Sequence, residues 1–267
     1  MDITLSSDLQ YEIDQNGVAT LSLNRLDKHN AFGDQLIHEL ILALDYLANH
    51  PDVRCLLLKG NGEHFSAGAD LNWMKQMAEQ SHEANVEDAQ TLAKLMSILD
   101  QFPHPTIVYV HGWAFGGALG LICCSDIAIA DHHARFCLSE VKLGLVPATI
   151  APYVIRSIGV RQARRYMLTA ETIDAKTAQE LHIVHHLTTK DDAQACIDRF
   201  IAQILRNSPA ALRHAKELID HCDNKIIDRE LVRYTSDMIA NVRVSRQGQE
   251  GLAAFIEKRP PIWPDEE

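Results

Sequence analysis

The stretch from His111 to Pro147, HGWAFGGALGLICCSDIAIADHHARFCLSEVKLGLVP, limits what this chain can fold into more than any other. Gly112, Gly116, Gly117 and Gly120 stand where an apolar run, Thr106 to Val110, meets an apolar segment reaching Cys124. The pattern predicts a strand that hands over, through a glycine turn, to a helix. A backbone without Cβ atoms at a helix start leaves amide N–H groups bare and approachable, with the positive end of the helix dipole behind them. Beyond Gly120, Glu140 lies in a mostly apolar run, CLSEVKLGLVP. Burial raises a carboxyl pKa toward the range in which it trades protons near neutral pH. Donors for a developing anion beside one acid point to catalysis.

Taken in order, the chain predicts strands at Leu9–Ile13 and Val18–Leu23, joined by Asp14-Gln15-Asn16-Gly17, in which Asn-Gly supplies the positive φ angles of a tight hairpin. Leu36, Ile37, Leu40, Ile41, Leu44 and Leu47 recur at helical spacing from Asp34 to His50, and Pro51 closes that helix. Val53–Leu58 reads as a strand. Phe65–Leu71, FSAGADL, then repeats the logic of the central stretch: small residues after a strand, with Asp70 placed to cap the helix LNWMKQMA. A helix from Val86 to Phe102 follows, and Pro103 and Pro105 bracket the step into the strand before the central motif. Asp126–Ala130 and Arg135–Leu138 read as short strands. Beyond Pro152 the runs at Arg161–Leu168, Ala175–Leu181, Asp191–Leu205, Pro209–His221 and Arg229–Val244 read as helices. Strand and helix alternation followed by helices predicts an α/β body, residues 1–200, with a helical tail, 201–267.

Composition excludes several classes. A chain of 267 residues with 46% hydrophobic residues can bury a sizeable core. Its formal net charge of −11 supplies no basic surplus to displace counterions from nucleic-acid phosphates. Six cysteines, Cys123 and Cys124 adjacent within an apolar segment, read as buried thiols and not as a disulfide framework, which places the protein in a reducing compartment. The N-terminus, MDITLSSDLQYEID, lacks a signal-peptide pattern, and no apolar run is long enough to span a bilayer. A soluble, cytoplasmic protein without membrane partners is expected.

FSAGADL, HGWAFGGALGLICCSDIAIA, ARFCLSEVKLGLVP, the early Lys28-His29-Asn30-Ala31 and the late EGLAAFIEKRPP stand in the order and near the spacing seen in one superfamily. Over nearly its whole length the chain resembles the enoyl-CoA hydratase/isomerase (crotonase) superfamily, and it looks closest to the bacterial methylglutaconyl-CoA hydratase-like members. The resemblance implies a ββα spiral with a C-terminal helical region that assembles trimers, often paired as hexamers. It implies an acyl-CoA substrate, with coenzyme A entering as part of the thioester and no separate cofactor. The oxyanion donors would be the N–H groups of Ala69 and Gly117, and Glu140 would move protons and activate water. The adenine would lie against the backbone of Ala67, Ala69 and Leu71, with Lys28 reaching phosphate and Phe255 and Lys258 supplied by a neighbouring subunit. Two-carboxylate hydratases carry a second Glu where this chain has Gly120, so hydration with one acid would need another group, or the substrate's own carboxylate, to position the water, and an isomerase also needs only one acid. Three functions stay open: an enoyl-CoA hydratase, which the motif wording favours and whose substrate would be methylglutaconyl-CoA in leucine or isoprenoid breakdown; an enoyl-CoA isomerase; and a non-catalytic acyl-CoA binder.

The remaining signals have plainer readings. Trp73, Met74, Met77 and Met96 can line an acyl pocket or simply belong to the core. A distal carboxylate on the acyl chain would want a cation such as Lys142 or a histidine. His132-His133 and the group His182, His185 and His186 lack the spacing of a metal motif, so no metal is expected. P-loop, GxGxxG and GxSxG patterns are absent.

Overall fold

The structure is a computed structural model that describes residues 3–264, leaving Met1, Asp2 and residues 265–267 outside the described residues. Strands β1 (Leu9–Ile13) and β2 (Val18–Leu23) form the expected hairpin. The turn is built differently from a two-residue Asn-Gly turn. Only Gly17 takes a positive φ, +82°, and the Asp14 carboxylate accepts the N–H groups of Asn16 and Val18 at 2.8 and 2.9 Å. That side chain satisfies the amides a second left-handed residue would otherwise redirect.

From β2 onward the chain repeats one pattern: a strand in a large sheet, an extended stretch in a second layer, then helix. β2 leads through Phe32 to α1 (Asp34–Ala48), whose buried Leu36, Ile37, Leu40, Ile41, Leu44 and Leu47 are the stripe the spacing predicted. β3 (Cys55–Gly60) leads through Ser66 and Ala69 to α2 (Leu71–Glu79) and α3 (His82–Asp100). β4 (Thr106–Val110) leads through β5 (Trp113–Phe115) to α4 (Gly117–Cys124), and β6 (Ile127–Asp131) through β7 (Arg135–Cys137) to α5 (Ala151–Thr169). β8 (Ile173–Asp174), α6 (Ala175–Glu180) and β9 (His186–Thr188) complete the sheets. The large sheet has the order β1-β2-β3-β4-β6-β9, parallel after the hairpin, and the smaller one the order β5-β7-β8. Single bridges, Phe32 to Ala69 and Ser66 to Ala114, extend the second layer toward the N-terminal repeats.

The parallel strands are buried on both faces, as helices covering both sides require. Leu56, Leu58, Val108, Val110, Ala128 and Ala130 join the main core, while Cys55, Leu57, Ile107 and Ile129 pack against Cys196, Ile197 and Ile204 of α7 (Ala193–Leu205). The division expected at residue 200 falls inside α7. The tail is α8 (Pro209–Cys222), α9 (Arg229–Val244) and α10 (Arg246–Glu257). Lys216, which pairs with Asp126 at 2.5 Å, ties it to the body, and within it Gln247 receives the Ser208 hydroxyl at 2.6 Å and donates to the Pro264 carbonyl.

Two departures from the sequence expectation have local causes. The α5 span holds two helices that meet at Gly159, whose φ of +74° and ψ of 156° are not helical: the part after Gly159 holds the helix expected at Arg161–Leu168, and the part before it, with Pro152 in its first turn, where a missing N–H costs nothing, was not expected. α10 was not expected; Ser245 caps it by accepting the Gly248 N–H at 3.0 Å. All six cysteines are free, four of them buried. Among the described residues no helix is long and apolar enough to cross a membrane.

Candidate active site

The two glycine-containing motifs meet in the second layer. Gly112 (φ +59°) turns the chain so tightly that a Cβ there would stand 2.2 Å from the Glu63 carbonyl oxygen. The turn interposes β5, so strand β4 does not pass straight into the helix as the sequence suggested. β5 pairs in parallel with β7, Phe115 opposite Cys137, and the Gly116 N–H donates to the Cys137 carbonyl at 3.0 Å. This register brings the start of α4 beside the segment that carries Glu140.

Gly116 takes φ +56° and ψ −124°, a conformation only glycine holds without strain, and its missing Cβ would lie 3.3 Å from Oε1 of Glu140. The next residue, Gly117, opens α4, so its N–H has no partner within the helix. Ala69 reaches the same place from the other side. Its parallel bridge to Phe32 uses the neighbouring groups, Gly68 O accepting from Phe32 and Asp70 N–H donating to Phe32, both at 2.7 Å, which leaves the Ala69 N–H pointing away. The Phe32 ring lies against Gly117, 3.6 Å from where a Cβ would be, and Gly68 packs on the Phe115 carbonyl. Neither the Ala69 nor the Gly117 N–H finds an acceptor among the described residues.

Glu140 begins a short 3-10 turn, Glu140–Leu143. Its Oε2 is buried without a hydrogen-bond partner among the described residues, and desolvation raises its pKa above the ordinary 4.5. Gly120, the position at which a second acid was considered, is packed by Ile150 and Met96: a Cβ there would be 2.4 Å from Ile150 Cγ2 and 2.6 Å from Met96 Sδ. Met96 is therefore core. Trp73, half-buried on α2, donates its indole N–H to Asp88 at 3.0 Å, and Met74 and Met77 are half-buried beside it. Leu71, 73% exposed, and Leu143, Leu145 and Val146 present apolar surface near the two motifs.

The other expected binding residues occupy two regions. Lys28 is exposed at the end of a 3-10 turn, Leu26–Lys28, and the adjoining His29 carbonyl accepts the Ala67 N–H at 2.9 Å, so Lys28 and the first motif share one surface. Phe255 and Lys258 lie at the end of α10, whose partners in this chain include α8 and α9. Of the histidines noted in the sequence, His185 accepts the Ala128 N–H at 2.9 Å through Nδ1 and is held in a structural role.

The model of one family, Enoyl-CoA hydratase/isomerase, matches residues 13–266. The chain belongs to that family. The 2,3-dehydroadipyl-CoA hydratase of Escherichia coli is 31% identical over 248 residues, covering 92% of this chain and 95% of that protein. A mitochondrial Delta(3,5)-Delta(2,4)-dienoyl-CoA isomerase of Dictyostelium discoideum is 29% identical over 260 residues, covering 94% and 88%. The crystal structure of an enoyl-CoA hydratase from Shewanella pealeana superposes with a TM-score of 0.93 at 53% identity over 96% of both chains. The fold of this enoyl-CoA hydratase/isomerase family member is thus the crotonase fold, with its ββα repeats and helical tail.

Proposed function

We propose that the protein is an enoyl-CoA hydratase that adds water across the double bond of a 2-enoyl-CoA thioester. The observation that carries this reading is the Glu140 carboxylate, its Oε2 buried and without a partner among the described residues, beside the uncommitted N–H groups of Gly117 and Ala69. In the proposed step Glu140 takes a proton from water as its oxygen bonds to the β-carbon. The π-electrons move toward the thioester, and the two N–H groups hold the enolate oxygen. The proton on Glu140 then passes to the α-carbon, which restores the carboxylate and releases the 3-hydroxyacyl thioester. Ala67, Ala69 and Leu71 would contact the adenine and Lys28 a phosphate. Phe255 and Lys258 would reach the coenzyme A of a neighbouring subunit in a trimer or dimer of trimers.

A second reading, an isomerase moving one proton along the acyl chain, is favoured by the packing at Gly120, which leaves Glu140 as the lone acid there. Parent and Glu140→Gln proteins offered 2-enoyl-CoA thioesters, methylglutaconyl-CoA among them, and a 3-enoyl-CoA separate these readings by product mass. The hydratase adds one water to the 2-enoyl substrates, and Glu140→Gln loses at least about 100-fold in rate. Conversion of the 3-enoyl substrate without added water would instead identify the isomerase, and binding without turnover would leave an acyl-CoA binder. With the carboxylate as base, kcat/KM falls on acidification with an apparent pKa above the ordinary 4.5, since burial favours the neutral form.

A further inference from the structure

Outside the groups assigned to acyl-CoA chemistry, His29, Glu63 and His64 each place one ligand-competent atom within 4.8 Å of the other two. We propose that these three side chains form a binding site for a divalent transition-metal ion of the zinc, nickel and copper class. Two imidazoles and one carboxylate suit such borderline ions, whereas Mg²⁺ and Ca²⁺ prefer oxygen ligands. Three protein ligands also leave coordination positions for water or an anion.

The case rests on how the ligands are held before any ion arrives. They lie on two loops, at residues 25–30 and 61–64, that one side chain bolts together. Asn30, 1% exposed, accepts the Arg25 N–H through Oδ1 at 2.8 Å and donates through Nδ2 to the carbonyls of Asn61 and His64, both at 2.9 Å. His29 and Asn30 both hold left-handed backbone, φ +49° and +56°, uncommon for non-glycine residues although Asn and His tolerate it best, and surrounding bonds hold it here. The Ala67 N–H supplies one such bond, to the His29 carbonyl. The His64 ring is stacked on Trp113, centroids 4.6 Å apart and planes within 6°, and the His29 ring centroid lies 5.1 Å from it. The loop backbone and the His64 ring are thus set in advance, and an ion has mainly the exposed Glu63 and His29 side chains left to order.

Two features oppose binding, and both are weak. Lys28 brings a positive charge to the neighbouring residue, but it is exposed, and the chain as a whole carries a formal charge of −11. His64 Nδ1 accepts the Trp113 N–H at 3.4 Å. An ion on Nδ1 displaces that bond, and an ion on Nε2 shifts the ring tautomer and breaks it. A bond this long contributes little.

The proposal is independent of the acyl-CoA reading, because its test needs no turnover. Zn²⁺ is titrated calorimetrically into the parent protein and into Glu63→Gln, His64→Gln and His132→Gln. One saturable Zn²⁺ per chain is expected, weakened at least about tenfold by Glu63→Gln and by His64→Gln and unchanged by His132→Gln, with excess Mg²⁺ failing to compete. Absence of saturable binding, equal binding by parent and Glu63→Gln, or displacement by Mg²⁺ would each overturn it. Glu63 is exposed, so Glu63→Gln keeps the test decisive should His64→Gln lose its fold.

Discussion

A Cβ at Gly120 would stand 2.4 Å from Ile150 Cγ2 and 2.6 Å from Met96 Sδ, closer than real contacts allow. The space that would hold a second carboxylate is thus occupied by two apolar side chains, and acid count at this site is set by packing as much as by the residue at 120. Gly120→Glu is expected to lower stability by about 1–3 kcal/mol through overpacking, without restoring any two-acid chemistry. Combining it with Ile150→Ala should recover part of that loss. Urea unfolding of the single and double variants measures the coupling, and additive losses would show that Ile150 does not fill the site. Glu140 behaves in the opposite sense. Its raised pKa means that folding disfavours its charge, so Glu140→Gln, inactive under the proposed mechanism, is expected to match or exceed the parent in Tm at neutral pH. Loss of activity together with a large fall in Tm would indicate misfolding and leave the role of the carboxylate without support.

Among the elements, the N-terminus of α2 ties the first motif to the first repeat. Asp70, 4% exposed, accepts the N–H groups of Asn72 and Trp73 and lies 2.8 Å from the Arg25 guanidinium, which also reaches Asp8 and the Ala31 carbonyl. Burial alone would raise the Asp70 pKa. The Asn72 N–H, the Arg25 charge and the Trp73 N–H outweigh it and lower the pKa below 3.8. Removing Arg25 leaves this carboxylate nearly buried and unpaired at the residue that follows Ala69. Arg25→Gln is expected to cost about 3 kcal/mol. If Ala69 serves as an oxyanion donor, it should lower kcat more than it raises KM. Unchanged stability would show that the pair is worth no more than a surface ion pair. His104, buried before β4, supplies a pH dependence of its own. Desolvation, with Arg213 and Lys216 nearby, lowers its pKa from 6.5 to about 4. Above pH 6.5 the folded and unfolded chains both hold it neutral. As pH falls from 6.5 to 4 the unfolded chain takes up a proton that the native state refuses, so stability drops by up to about 3 kcal/mol. Denaturant midpoints across that window should fall less steeply in His104→Gln.

At the scale of the whole molecule, the parts legible in the sequence are those that local chemistry decides. β1, β2, β4 and α9 fall at the expected residues because alternation, apolar runs and caps mark them, and Asp70 caps α2 as its position implied. β9, at His186–Thr188, carries no strand pattern of its own and exists because β6 offers an edge to pair with. The approach of Gly116 to Glu140 was legible only as two motifs, since the β5–β7 register that joins them is a tertiary choice. The tail shows the same division: α8 and α9 could be read, but neither α10 nor what covers these helices. α8 buries no residue fully and α9 only Leu231, while Ile226, Ile227 and Phe255, each 84% exposed, and Ile256 and Ile262 face outward. Apolar surface of this kind marks an interaction face, and the proposed trimer supplies one. Phe255→Glu places a charge on that face without disturbing the core of its own chain. Light scattering after size exclusion should give a trimer or its multiple for the parent and a smaller species for the variant. If Phe255 reaches a neighbour's coenzyme A, the variant also binds acyl-CoA more weakly even at concentrations that force assembly. A parent that stays monomeric at working concentration would remove both expectations and would leave Lys28 and the first motif to hold coenzyme A within one chain.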